Sequence, residues 1–325
     1  MEFRTEYRAE RSEWDISHAH RILSVGSCFA DCMGKRLEEL AFKVSSNPFG
    51  VLFNPLSIVG NLGAFSSISW DDDEVLEREN RFFHYQMHSE ISATSAEVLK
   101  DKILQVRHET RSFLKEADVL MLTFGTALVY QLKSTGRTVA NCHKMPAAWF
   151  EKRLLTVDEI VQSTVVLLER IWDENPECNI ILTVSPVRHT KDTLSLNMVS
   201  KSVLRLACHQ ISLLYSRRVH YFPAFEIVTD DLRDYRFYKE DLIHPSEQAE
   251  EYVWEKFEET FFSDETIGLN KEIKSIRTGL KHHTWDPESE AYKLFLKKLL
   301  EKSKKVNAVV PIPRLIQELQ VRLKA

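Results

Sequence analysis

What the sequence lacks narrows it before anything it contains. No uninterrupted apolar run approaches the roughly 20 residues that span a bilayer, and the stretch from Met1 to Asp15 is charged without an apolar signal core, so neither export nor membrane insertion is expected. An excess of positive charge is lacking too: 43 Lys and Arg stand against 48 Asp and Glu, a formal net charge of -5, and phosphate-dominated nucleic-acid binding has no cationic field behind it. Cysteine is sparse, odd in number and scattered (Cys28, Cys32, Cys142, Cys178 and Cys208). That usage suits reduced thiols in a cytoplasmic protein rather than a disulfide framework. No GxGxxG or Walker loop is present, and no HExxH or paired CxxC, so no cofactor and no metal are expected. The histidine pairs His18 and His20, His84 and His88, and His282 and His283 have no cysteine or carboxylate pattern to complete a metal site.

What is present is enough for a full core. With 325 residues and 43% hydrophobic content, the chain predicts one large domain plus an appendage. Short apolar segments alternate with long amphipathic ones, the pattern of a parallel sheet covered by helices on both faces. Five strands are predicted, at Arg21 to Val25, Phe42 to Ser45, Asp118 to Phe124, Asn179 to Val184 and Arg218 to Phe222. Helical spacing runs over Phe29 to Leu40, Ala96 to Leu114, Val157 to Ile171 and Thr193 to Tyr215. Arg81 to Ile91 alternates weakly and Ala127 to Val139 predicts a hairpin around Ser134 to Arg137; both are expected at the sheet's edge, where they would wall a pocket. The expected architecture is a flavodoxin-like three-layer α/β/α sandwich over residues 1–262. A charged helical extension over 263–325, interrupted by His282 to Pro287 and by Pro311 to Pro313, would pack on it.

In such sheets ligands sit outside the carboxyl ends of the strands. The first strand runs into Gly26-Ser27-Cys28-Phe29-Ala30, where glycine permits a tight turn and Ser27 opens a helix whose first N–H groups point at the place of a tetrahedral oxyanion. The bland alternative is an N-cap serine. After the fifth strand comes Asp241-Leu242-Ile243-His244-Pro245, with Pro245 suited to a first helical position. A three-residue gap lets the Asp241 carboxylate reach His244 Nδ1–H and leaves Nε2 free to take a proton from Ser27.

These segments resemble the GSCFA family, relatives of the SGNH/GDSL hydrolases. Gly26 to Ala30 looks like the motif that gives the family its name. Asn47-Pro48-Phe49-Gly50, Asn54-Pro55, Thr123-Phe124-Gly125-Thr126, Asn141-Cys142-His143-Lys144, Ser185-Pro186-Val187-Arg188 and Asp241 to Pro245 look like its other blocks. The resemblance implies a Ser27, Asp241, His244 triad and an ester hydrolysis or acyl transfer through a Ser27 acyl-enzyme. It also implies an oxyanion hole using the Ser27 N–H and Gly50. The third donor departs from the SGNH pattern, because Thr126 follows Gly125 where an asparagine is expected; Thr126 or Asn141 are the alternatives. A small acyl group, such as acetyl, on a carbohydrate or other polar alcohol is the substrate that the resemblance suggests, with no nucleic acid and no membrane as partner. Asn47, His143, Lys144, Arg188 and His189 are candidate substrate contacts, each with a structural alternative in loop packing or solvation.

Two other functions compete. Cys28 adjoins Ser27, but neighbouring helical residues point about 100 degrees apart, so only one of the two can face a given base. The fold could also serve as a noncatalytic saccharide- or lipid-binding module, with the charged extension as its working part.

Overall fold

A strand buried at every position, as Val119–Phe124 is, must be covered on both faces. The computed structural model describes residues 4–63, 74–282, 284–286 and 289–324 and supplies that cover. In chain order its elements are β1 (Arg21–Gly26), α1 (Cys28–Glu39), β2 (Lys43–Ser46), α2 (Pro55–Gly63), β3 (Val75–Arg78), β4 (Arg81–His84), α3 (Ala96–Leu114) and β5 (Val119–Phe124). There follow β6 (Leu128–Leu132), β7 (Thr138–Val139), β8 (Phe150–Leu154), α4 (Val157–Glu174), β9 (Asn179–Val184), α5 (Leu194–Leu214), β10 (Val219–Tyr221) and the single turn α6 (Ala224–Glu226). The chain closes with α7 (Glu247–Phe261), α8 (Asp264–Lys281), α9 (Glu290–Asn307) and α10 (Pro313–Lys324).

Five parallel strands form the central sheet in the order β10-β9-β5-β1-β2. Counting only these strands, that is the flavodoxin-like order, with the switch point between β1 and β5. Side chains alternate between two cores. Ile22, Val119, Met121 and Ile181 join α1 and α7, whereas Leu23, Val25, Leu120, Leu122, Ile180 and Leu182 join α3, α4 and α5. Three layers result, as expected. Residues of α8, α9 and α10, among them Ile276, Leu299 and Leu319, belong to the same apolar cluster as Leu37 and Phe261, so the extension packs on the α1/α7 face.

Several elements differ from the sequence expectation. Helix α2 was not foreseen, although Asn54 Oδ1 accepts the Ser57 N–H at 2.9 Å and Pro55 occupies the first helical position. The edge hairpin of β6 and β7 gains β8, whose charged sequence FEKRL hides its pairing with β6. Only Arg81–His84 of the weakly alternating stretch is strand; the Met87 N–H turns back to His84 O at 2.9 Å, so His84 and His88 do not share a strand face. Helix α7 is capped by Ser246, which leaves Pro245 two residues ahead of the first turn. His283, one half of a histidine pair, lies outside the described residues. No group of three potential metal ligands occurs among the described residues, and no helix among them is long and apolar enough to cross a membrane.

Candidate active site

The end of β1 is held against β5 so closely that only glycine fits. A Cβ on Gly26 would lie 2.2 Å from Thr123 O, and φ is +154°. The Gly26 N–H donates to Asn47 Oδ1 at 2.7 Å, while the Asn47 amide donates to Asp31, so Asn47 ties the turn to α1 rather than facing a ligand. The Ser27 N–H then donates to Thr123 O at 3.1 Å, and Ser27 Oγ accepts the Phe29 N–H at 3.3 Å as the N-cap of α1. Ser27 is 0% exposed. The side chain that reaches outward from this turn belongs to the next residue, Cys28, at the first position of the helix.

On the opposite side, the loop between Tyr238 and Ser246 folds around Asp241. Its Oδ1 accepts the N–H groups of Ile243 at 2.9 Å and His244 at 3.0 Å, and its Oδ2 accepts His244 Nδ1–H at 2.7 Å. Those three bonds, led by the two from His244, hold the carboxyl well below the usual carboxylate range. With Nδ1 carrying the proton, Nε2 is a free acceptor, and it lies 3.7 Å from Cys28 Sγ. The geometry expected between His244 and Ser27 is thus found between His244 and Cys28, and no hydrogen bond joins Ser27 to His244. The physical reason is the helix start: the cap turns its oxygen inward to satisfy Phe29, and the residue one step on projects toward the loop.

Burial raises the Cys28 thiol above its usual range and nearby Asp31 adds to the rise, while the Cys28 and Phe29 N–H groups and the Lys201 ammonium pull the other way. Cys28 and His244 open on a cleft of about 860 Å³ lined by α1, α7 and α8, with Arg36 and Trp254 on the helices and Val187 from the loop after β9. The edge hairpin does not wall this cleft.

The expected oxyanion donors at Gly50, Gly125 and Thr126 are already engaged, and Asn141 is tied to the edge layer through its side-chain carbonyl oxygen. Gly50 N–H donates to Asn47 O at 2.8 Å; Gly125 N–H and Thr126 N–H both donate to Phe53 O, at 2.7 and 3.0 Å. Thr126 Oγ1 shares a hydrogen bond with Ser200 Oγ at 3.0 Å, and Asn141 Oδ1 accepts the His143 N–H at 2.8 Å. His143 is buried in the edge layer, its ring nitrogens bonded to Ser89 Oγ at 3.0 Å and His84 O at 2.9 Å, and Lys144 beside it is exposed. Both sit in left-handed backbone.

Arg188 braces the loop that carries Asp241 and His244. Its N–H donates to Ile243 O at 3.1 Å and its guanidinium to Leu242 O at 2.9 Å, and it lies over the rings of Tyr235 and Tyr238. His189 turns inward, its Nε2 buried without a partner and close to Gly125; burial, and then the Lys201 charge, lower its pKa to about 3, so the ring is neutral. Sequence inspection overlooked Lys201. It is 1% exposed on α5, and its Nζ donates to Gly125 O at 2.6 Å and Ser185 O at 2.7 Å, joining the ends of β5 and β9 beneath the site. Its only sequence signal is a lysine at an inward position of an amphipathic helix.

The GSCFA family model matches residues 21–257, more than half of the chain, from β1 to the body of α7. The chain belongs to the GSCFA family. Among solved structures, this GSCFA protein is similar at 14% identity to one from Streptococcus pneumonia provisionally named a platelet activating factor, over 74% of this chain and 82% of that one, with a TM-score of 0.38. No curated protein sequence matches it.

Proposed function

We propose that this GSCFA protein is an acyl hydrolase or acyltransferase that acts on a small ester of a carbohydrate or other polar alcohol through a covalent acyl-enzyme, with Cys28 as nucleophile. The observation that carries this is the relay Cys28 Sγ, His244 Nε2, His244 Nδ1, Asp241 Oδ2, with separations of 3.7 and 2.7 Å across its two contacts. Because burial keeps the sulfur protonated at rest, His244 takes the Sγ–H proton as sulfur attacks the carbonyl carbon. The tetrahedral oxygen develops next to the Cys28 N–H at the start of α1. Collapse breaks the carbon–oxygen bond, and the alcohol leaves with the proton from His244. Water then attacks the thioester, gives its proton to His244, and releases the carboxylic acid as the proton returns to sulfur. The five free thiols suit the reducing environment of the cytoplasm.

The test is a set of single variants assayed on a short aryl ester with intact-mass detection of the acyl-enzyme. Cys28→Ala should abolish the acyl adduct, and His244→Ala should slow turnover by about 10² to 10⁴. Ser27→Ala should keep the adduct while costing about 1 kcal/mol of stability through loss of the helix cap. If Cys28→Ala turns over normally and Ser27→Ala does not, the nucleophile is the serine after all. If the wild-type chain forms no adduct with aryl or acetyl-sugar esters, the site binds without turnover.

A further inference from the structure

Helix α5 shows the solvent a face unlike that of the other surface helices. Val199, Leu206 and Leu213 are 43%, 48% and 67% exposed. They are seven residues apart, nearly two full turns, and so form one stripe along the helix. Leu196, Met198 and Leu214 flank it at 43%, 52% and 61% exposure, and exposed Ser195, Ser202 and His209 alternate with the large residues. The opposite side of the helix holds Leu204, Ala207, Cys208 and Ile211 in the core. Charge is nearly absent outside: Lys201 is turned inward, and Arg205 is bound to Glu226 at 2.6 Å. A solvated helix face of this length normally carries charges on its outer side, as α3 does with Lys100, Asp101 and Lys102.

We infer that this face is the interface of a homodimer, in which α5 packs antiparallel against α5 of a second copy about a twofold axis through Leu206. The stripe is symmetric about that residue. A twofold there brings Leu206 onto itself, sets Val199 of each copy against Leu213 of the other, and pairs the polar Ser202 with the polar Gln210. Large side chains alternating with serines give knobs and shallow holes on the same surface. No unpaired charge of α5 is brought against its own copy, and none is present to recruit a charged partner. Six large apolar side chains at about half exposure present on the order of 500 Å² per copy, and with their polar rim this approaches the roughly 800 Å² per partner of a stable interface.

Sedimentation velocity of the full chain decides the matter. The wild type should sediment as a dimer at concentrations up to about 100 μM, where a micromolar complex is saturated. Leu206→Glu, which sets two carboxylates on the axis, should sediment as a monomer with unchanged circular dichroism, because the side chain is half exposed in the single chain. Leu206→Cys should form an intermolecular disulfide under mild oxidation, since the axis juxtaposes the two copies of that position. Leu294→Glu, on exposed α9, should remain dimeric. A monomeric wild type at the highest concentration overturns the proposal, and so does a dimer that survives Leu206→Glu.

Discussion

The ammonium group of Lys201 sits where a charge is expensive, with two carbonyl acceptors and the Phe225 ring around it and almost no solvent. Burial pulls its pKa down to about 7, with the Cys28 thiol opposing. A neutral amine has two N–H groups, and Nζ has two carbonyl partners, so the neutral form satisfies its surroundings. The sign of the stability effect follows. Between pH 7 and the unfolded value near 10.4 the unfolded chain holds a proton that the folded chain has released, so stability rises with pH, by up to about 1.4 kcal/mol per unit. Relative to Lys201→Met, the wild type should therefore gain stability from pH 7 to pH 9 in urea unfolding; a constant or shrinking difference would show that the buried group stays charged. At this scale the sequence conveyed types better than orientations. Asp241 and His244 were legible because three residues on a loop limit where both can go, and Asp241 does bond His244. Whether Ser27 or Cys28 faces His244 depends on the exact residue at which the helix begins. A shift of one position there rotates the outcome by about 100 degrees, and periodicity does not resolve one position.

At the scale of elements, β1, β5 and β9 were legible as sustained apolar runs and the long helices α3, α4 and α5 as amphipathic ones, each between clear stops, while β2 and β10 gave only short versions of the strand pattern. Those that were not, among them β3, β8 and α2, are short and owe their form to a neighbour: β3 to its pairing with β4, β8 to its pairing with β6, α2 to packing of Ile58 and Leu62 in the second core. The loop after β10 is of this second kind. It contains a left-handed Leu242, φ 55°, and holds that conformation through contacts made by the loop after β9. Arg188 is the principal one, which makes it a positioning residue for His244. If His244 is the base of the proposed acyl transfer, Arg188→Ala should lower kcat by about 10- to 100-fold with little change in KM, because misplacing a base by a fraction of an ångström to one ångström has that consequence. Alkylation of Cys28 by iodoacetamide should slow in parallel. A rise in KM alone would show instead that the guanidinium contacts substrate, as its place beyond a strand end first suggested.

For the molecule as a whole, the question is whether the helical extension is an attachment or part of the main cooperative unit. Composition separates it, since strand signals stop at Phe262 and charge rises beyond. Packing does not: α8, α9 and α10 place Ile273, Leu296, Val306 and Leu319 in the cluster that contains Met33 and Leu37 of α1 and Trp254 and Phe257 of α7. The N-terminal segment closes the same layer, with Ile16 N–H donating to Phe261 O at 2.7 Å. Helix α1 begins with Cys28, and α7 follows directly on the loop of His244, so the layer that the extension covers is the one that sets the separation of sulfur and imidazole. Leu319 is 0% exposed although it lies near the end of the chain. Leu319→Ala should cost about 2 to 5 kcal/mol, the range for truncating a buried leucine, and it should do so within one transition. Thermal unfolding followed by far-ultraviolet circular dichroism and by tryptophan fluorescence, to which the buried Trp254 contributes, should then shift by the same amount on both probes. Two separated transitions, with the layer of α1 and α7 unmoved, would make the extension an independent unit and would divorce its stability from that of the candidate site.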